Sequence, residues 1–305
     1  GTDTTGTLSS ADGNTGVGVQ AFCSLTTGDN NTAVGFIALG DSTTGSENTA
    51  VGKTALVRTT TGSSNTAVGM NSLFTNTTAS NNTAVGGCSL FANLTGTGNA
   101  AVGSNALCTN TTGNNNSALG KDALKLNTTS SSNTAVGNSV LTTNTGGSNT
   151  AGGAGAMFAN TTGANNTALG VGAFALKLNT TGTPNTAVGS NALCTNTTGN
   201  NNVAAGKDAL LVNTTGCYNN GFGKSALRQV TTGELNVSVG GFALGNLTTG
   251  SNNIAIGHNS GTDAMANFSS SETNKIAMGN HSSDTAYIKI DWTVTSDLRD
   301  KTNIE

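Results

Sequence analysis

Residue types that hold metals or act as nucleophiles are few and scattered in this sequence of 305 residues. The two histidines, His258 and His281, are isolated, and we expect both to lie on the surface. The five cysteines contain no CxxC pair, and no cluster of His, Cys, Asp or Glu has metal-ligand spacing. Neither a phosphate-binding G-x-x-x-x-G-K-S/T loop nor a Ser-His-Asp set can be assembled. We therefore expect no metal, no cofactor and no enzyme active site.

The composition is that of an extended, turn-rich chain. Charged residues make up 9% and aromatic residues 4%, with 43 glycines and one proline. Gly, Asn and Thr favour turns and extended backbone over helix, whereas disordered segments are usually rich in charge or proline. A net charge of −3 provides no basic face for nucleic acid or lipid, and no apolar run approaches the ~20 residues of a membrane helix. We expect neither nucleic-acid binding nor membrane insertion.

A sequence repeat of 17 residues runs from residue 14 to residue 279 and determines where each side chain of this region lies. The unit reads N-T-A-V-G-x-x-A-L-x-x-N-T-T-G-x-x, and we number its positions 1 to 17. Position 1 is Asn, position 5 is Gly in all sixteen copies, and position 9 is large and apolar. Early examples are Asn31, Gly35, Leu39, Asn48, Gly52, Leu56, Asn65, Gly69 and Leu73, and we also assign Phe174 to position 9. We expect a stacked Asn ladder, a glycine held by positive φ or close chain approach, and an apolar core column.

This period predicts an all-β fold, an elongated β-solenoid or β-roll of about sixteen 17-residue coils. Helical repeats are mostly twice as long or longer, and no stretch shows helical spacing of apolar residues. Two or three short strands per coil, stacked at roughly 4.8 Å, would give a rod roughly 75 Å long. Residues 1–13 are expected to cap or connect the rod, which spans 14–279, and residues 280–295 to form an exit strand or cap.

The strand T-A-V predicts self-association. Neighbouring side chains of a strand point to opposite faces, so Ala33 and Val34 face opposite ways although both are apolar. One faces the coil interior, and the other needs a neighbour, which a second copy of the chain supplies. The core of each coil is also thin. The alternative is a monomeric solenoid with Val at a corner.

Irregular copies mark departures from the simple stack. Residues 101–124 and 187–210 are near-identical, which favours a part selected for its length. The interruption at 174–184 holds two extra residues and the only proline, and we expect a loop there. Gly152 replaces the usual Val, which predicts a weak spot. Positions 6, 7, 10 and 11 vary between coils, so we expect them to face solvent.

The last ten residues carry a resemblance. The pattern S-D-x-R-x-K-x-x-I, from Ser296 to Ile304, resembles the opening of the endosialidase-type intramolecular chaperone domain of phage tail fibres and tail spikes. The resemblance implies that residues 296–305 begin a truncated chaperone domain that trimerises the fibre and then cuts itself off. It also implies a Ser296–Lys301 dyad and cleavage of the Ser296–Asp297 bond, with Lys301 as base if its pKa is lowered.

The repeat itself resembles the A-I-G-centred repeats in the heads of trimeric autotransporter adhesins, which form trimeric β-rolls. Both resemblances imply a parallel homotrimer. We therefore expect the shaft of a viral, phage-type tail fibre on the virion, with partners that include other virion tail proteins and a host cell-surface receptor such as a glycan. The alternatives are a bacterial trimeric adhesin at the cell surface and an ice-binding solenoid that uses Thr columns.

Overall fold

The computed structural model describes residues 11–170, 174–262, 268–280 and 282–283. In this part the chain forms one all-parallel sheet of sixteen strands, stacked in chain order without a crossover. The strands are β1 Thr15–Val17, β2 Thr32–Val34, β3 Thr49–Val51, β4 Thr66–Val68, β5 Thr83–Val85, β6 Ala100–Val102, β7 Ser117–Leu119, β8 Thr134–Val136, β9 Thr150–Gly152, β10 Thr167–Leu169, β11 Thr186–Val188, β12 Val203–Ala205, β13 Asn220–Phe222, β14 Val237–Val239, β15 Ile254–Ile256 and β16 Ile276–Met278. Coil n is the coil that begins just before strand βn.

Each strand pairs with the next in strict register, so equivalent repeat positions stack in columns. Thr32 pairs with Thr49, Ala33 with Ala50 and Val34 with Val51, and the same register continues to β16. Fifteen steps of ~4.8 Å give a rod about 70 Å long. The predicted β-solenoid with a 17-residue coil is therefore confirmed.

The prediction of two or three strands per coil is wrong, because the described residues form only one strand in each coil. Positions 7 and 9 adopt left-handed backbone, with φ of 55° at Ile37 and 49° at Leu39. The N–H groups of positions 7 and 9 point to opposite neighbouring coils. Ile37 donates to Val19 O of the preceding coil at 3.0 Å, and Leu39 donates to Ala55 O of the following coil at 3.1 Å. Stacked turns thus replace a second strand.

The invariant glycine at position 5 forms the corner between strand and turns. Gly52 has φ +137°, a conformation that side chains rarely allow, and a Cβ there would lie 2.6 Å from Gly69 O of the next coil. Both expected reasons for glycine, positive φ and close chain approach, are confirmed at this position.

The core is a single line of small and medium side chains along the rod. Positions 3, 8 and 9 are fully buried, as with Ala50, Ala55 and Leu56 in coil 3. Burial of one Leu contributes about 1.5–3 kcal/mol. Each coil adds one such side chain, so every coil depends on its neighbours for stability.

Coil 10 corrects the assignment of Phe174. Nineteen residues separate β10 from β11 instead of 17, and the buried side chain at position 9 is Leu176. Phe174 is 40% exposed. The two extra residues therefore precede Ala175 at position 8, where four residues follow Gly170 instead of two. The segments 1–10, 284–295 and 296–305 lie outside the described residues, so the expected cap, exit strand and chaperone start stay predictions.

Candidate functional site

The outer face of the sheet is built by side-chain alternation along each strand. In β2 to β16 the middle residue is buried and both of its neighbours are more exposed. Ala33 therefore faces the interior, while Thr32 and Val34 face outward together. The expectation that one of the two apolar residues fills the coil is confirmed. We call the outward residues at positions 2 and 4 the strand side.

The strand side is uncharged and rich in apolar surface along its whole length. No Asp, Glu, Lys or Arg stands at positions 2 or 4 in any strand. Position 4 carries an apolar column whose members are 36–63% exposed, namely Val17, Val34, Val102, Leu119, Val136, Leu169, Val188, Phe222, Val239, Ile256 and Met278. Monomeric proteins rarely expose contiguous apolar patches larger than ~600 Å², and larger ones mark interaction sites.

The predicted Asn ladder at position 1 runs through the interior beside this sheet. Asn48 donates from Nδ2 to Asn31 Oδ1 at 3.1 Å and to Gly62 O at 2.9 Å, and its backbone N–H also reaches Asn31 Oδ1 at 2.9 Å. The column is fully buried from Asn31 to Asn253, and Lys275 N–H closes it on Asn253 Oδ1 at 3.0 Å. The Asn side chains thus provide hydrogen-bond partners for buried backbone N–H and C=O groups at this corner of the coil.

A second Asn ladder at position 12 was missed from the sequence. Asn110 donates to Asn93 Oδ1 at 2.9 Å and to Gly113 O at 3.0 Å. The same pattern links nine buried residues, namely Asn76, Asn93, Asn110, Asn127, Asn144, Asn160, Asn179, Asn196 and Asn213. The ladder stops where Val230 occupies position 12, which leaves Asn213 Oδ1 buried without a partner. The usable signal was Asn in nine successive coils at one position, where some other coils have Leu25, Val230 or Leu247.

The opposite side of the coil, which we call the turn side, holds positions 6 to 11 and nearly all the basic charge. Of the Lys and Arg residues that the structure describes, every one except Lys275 stands at position 6, 10 or 11. They are Lys53, Arg58, Lys121, Lys125, Lys177, Lys207, Lys224 and Arg228. Position 6 is exposed at Lys53, Met70, Lys121 and His258, as expected, whereas position 7 is mostly half-buried.

Two surface cavities lie on the turn side. One, of about 460 Å³, is lined by Asp208, Lys224, Arg228 and Phe242 among others. The second, of about 440 Å³, lies where coils 8 to 10 are irregular, between Asn138, Phe158 and Phe174. The first is charged and polar, and the second is mainly apolar.

The residue types of chemical interest form no reactive centre in the described part of the chain. No three His, Cys, Asp or Glu residues there approach closely enough to hold a metal ion. Burial raises the pKa of the Cys108 and Cys194 thiols, so both remain protonated at neutral pH. His258 is exposed, and the centroid of its ring lies 6.0 Å from that of Phe242, with the two rings nearly perpendicular. Ser296 and Lys301 lie outside the described residues, so their dyad stays a prediction.

Comparisons with known proteins do not assign the chain to a family. No protein-family model matches it, and no curated protein matches it. Among the described residues no helix is long and apolar enough to span a membrane.

Proposed function

We propose that this chain is the shaft of a trimeric fibre of the phage tail type, which serves in attachment to a host surface. The observation that supports the proposal best is the apolar column on the strand side, which is interrupted only at Gly152 and carries no charge in any of the sixteen strands. A rigid rod with such a column along one side suits parallel self-association in register. Three copies around one axis would bury the column, as the resemblance to trimeric β-rolls implies.

The thin core adds a second line of support. Each coil buries two small side chains, one large one and one or two asparagines. Removal of the position 4 column from water would add about 1 kcal/mol or more per coil for half-exposed Val side chains. Over many coils this is large compared with the ~5–15 kcal/mol net stability of an ordinary domain.

The proposal includes a self-cleaving chaperone at the C-terminal end. Ser296 Oγ would attack the carbonyl carbon of the Ser296–Asp297 bond, Lys301 would take the hydroxyl proton and pass it to the leaving Asp297 amine, and water would hydrolyse the resulting ester. Expression of the complete reading frame that contains this sequence should yield a fibre ending at Ser296. Intact-mass spectrometry should find uncut chain for Ser296→Ala and for Lys301→Ala. Cleavage that persists in both variants would contradict the dyad.

The location distinguishes a fibre from a bacterial adhesin. An antibody raised against the chain should label tail fibres of particles in gold-label electron microscopy. Label on the bacterial envelope, in cells that produce no particles, would contradict the fibre and favour the adhesin.

Ice binding is a second candidate, since the Thr column at position 2 also faces outward. Thr32, Thr49 and Thr66 stack in register on the sheet and share that face with the Val column. If the Val column is buried between copies, the Thr column is largely covered with it. A thermal hysteresis assay should then show no activity, and measurable hysteresis would favour the ice-binding function instead.

A further inference from the structure

The larger cavity on the turn side extends over coils 12 to 15. Its walls include Asp208 in coil 12, Lys224 and Arg228 in coil 13, Phe242 in coil 14 and Asn259 in coil 15. Three coil steps of ~4.8 Å make the site ~14 Å long. It uses positions 6, 7, 10 and 11, so it faces away from the strand side and stays open when that side is covered.

Two glycines of coil 14 stand where the preceding coil carries cations, and one of them, Gly245, lines the cavity. Coil 14 has Gly241 and Gly245 at positions 6 and 10, where coil 13 has Lys224 and Arg228. The missing side chains leave a notch one coil deep, and Gly245 lines it. The cations of coil 13 edge the notch on one side, and His258 at position 6 of coil 15 stands on the other.

The charge of this region is unbalanced and positive. Lys207, Lys224 and Arg228 are exposed, and none of them forms an ion pair with the carboxylates that the structure describes. Asp208 is the only carboxylate in the lining, and its Oδ1 accepts a hydrogen bond from Asn191 at 3.0 Å. A guanidinium without a protein partner can bind a carboxylate through two parallel hydrogen bonds.

An aromatic ring and several amides complete the surface. Phe242 is 40% exposed, and Lys224 Nζ lies 5.3 Å from its ring centroid. An exposed ring offers an apolar plane on which the C–H face of a sugar can pack. The side-chain amides of Gln229, Asn246 and Asn259 line the same cavity, and they can both donate to and accept from hydroxyl groups.

We propose that this cavity binds an acidic polysaccharide, a chain of hexoses that carries carboxylates. Arg228 and Lys224 bind a carboxylate, the Phe242 ring packs against one sugar, and the amides bind hydroxyls. Such a polymer would be the host-surface partner of the fibre, so its biological setting rests on the proposed function. Binding itself depends only on coils 12 to 15.

The chain contains a natural control for this site. Residues 101–124 nearly repeat 187–210, so Lys121 and Asp122 stand where Lys207 and Asp208 stand in the second copy. In the first copy Lys125 pairs with Asp122 at 3.2 Å. The next coil there has Asn138 and Thr142 at positions 6 and 10, where coil 13 has its two cations. The first copy therefore has two cations, one of them paired with Asp122, but lacks the site.

Isothermal titration of the intact chain with hexagalacturonate, at low salt, tests the assignment. Hexagalacturonate should bind, and neutral maltohexaose should not. The double variant Lys224→Ala with Arg228→Ala should weaken binding by about 10-fold or more, which is the scale of two charge-assisted contacts. Phe242→Ala should weaken it by about 5-fold. Lys121→Ala with Lys125→Ala should leave the affinity within about 2-fold of the unmodified protein, because that block lacks the notch and the second pair of cations.

Three results would overturn the assignment: no heat of binding with hexagalacturonate, equal binding of maltohexaose, or equal weakening by the control double variant. Light scattering on each variant shows whether a failure concerns the cavity or the proposed fibre. A variant that loses the ligand at unchanged molar mass reports on the cavity alone. Failure of self-association with intact ligand binding would reject the trimer and leave the cavity assigned.

Discussion

The strand side and the turn side belong to the same stack of coils, yet they differ in how much their residues change from coil to coil. The strand side is nearly constant, whereas the turn side is variable. Positions 2 and 4 carry Thr and Val in most coils and no charge in any strand. Positions 6, 7, 10 and 11 differ from coil to coil and hold eight of the basic residues. A surface that contacts its own copy must repeat in register with the strands, whereas a surface that binds another molecule needs only a local arrangement. The comparison therefore supports the proposals that one side serves self-association and the other serves recognition.

The two sides meet at glycine corners, and these should give the largest effects. Gly52→Ala should lower the free energy of unfolding by about 4 kcal/mol, since it combines unfavourable positive φ with overlap on Gly69 O. Gly62→Ala is the matched control in the same coil. A Cβ there would also overlap a backbone carbonyl, that of Ala79, but its φ is not positive and the equivalent residue of coil 4 is already Ala79, so this control isolates the effect of φ. Urea unfolding should give a cost of about 1–2 kcal/mol for this control, and equal costs would contradict the corner role.

Substitutions in the two interior Asn ladders should change the free energy of unfolding less than the substitution at the glycine corner, and the two ladders should differ only slightly from each other. In coil 7, Asn116 and Asn127 both donate to Ser130 O, at 2.8 and 3.0 Å. Asn116 Oδ1 also accepts from the backbone N–H of Asn133 at 3.0 Å, whereas Asn127 Oδ1 accepts only from the Asn144 side chain. Asn116→Ala therefore leaves one more buried group unsatisfied.

We expect costs of about 3 kcal/mol for Asn116→Ala and about 2 kcal/mol for Asn127→Ala in urea unfolding. Asn213→Ala should cost about 1 kcal/mol, because its Oδ1 already lacks a partner at the end of the ladder. A larger loss for Asn213→Ala than for Asn127→Ala would contradict the ladder geometry.

The smallest effect should come from the ion pair of the turn side. Lys125→Met should lower stability by at most ~0.5 kcal/mol, since the pair is partly exposed. Burial alone would raise the pKa of Asp122, but the hydrogen bond from Asn105 and the Lys125 ammonium outweigh it and hold that pKa below its usual range. The contribution of Asp122 is thus fully present above the unfolded carboxyl pKa of about 3.9 and is lost as the pH falls through the lower folded pKa. A difference between the two proteins that grows on acidification would contradict this sign.

Much of the coil could be predicted from residue types, and the failures have physical causes. Asn48, Gly52 and Leu56 were assigned correctly because a polar column, a special φ and a core position each leave a distinct residue preference. The left-handed backbone at Leu39 produces no residue preference in the sequence. Leu occurs there because the position is buried, and the hydrogen bonds between stacked coils offset the backbone strain. That is why extra strands were expected where turns occur.

The second ladder and the cavity were missed for different reasons. Asn110 stands in N-T-T-G, a string typical of turns, which concealed its burial. The cavity depends on Gly241 and Gly245 stacking on Lys224 and Arg228, four residues from successive coils whose proximity only the register supplies. Phe174 was misplaced because a two-residue insertion can be aligned in several ways within one coil.

Molar mass by light scattering tests the central claim, self-association through the strand side, most directly. Two triple variants each introduce three aspartates in coils 2, 4 and 6, one variant on the strand side and the other on the turn side. One changes Val34, Val68 and Val102 on the strand side, and the other changes Phe36, Met70 and Ser104 on the turn side. All six residues are exposed or half-buried, and each set adds three negative charges.

The unmodified protein and the turn-side variant, each expressed from the complete reading frame so that the chaperone can act, should both have three times the mass of one chain. The strand-side variant should fall to the mass of one chain, because desolvating three charges on an apolar interface costs several kcal/mol each. A single-chain mass for the unmodified protein, or a trimer that survives the strand-side variant and dissociates in the turn-side variant, would contradict the account.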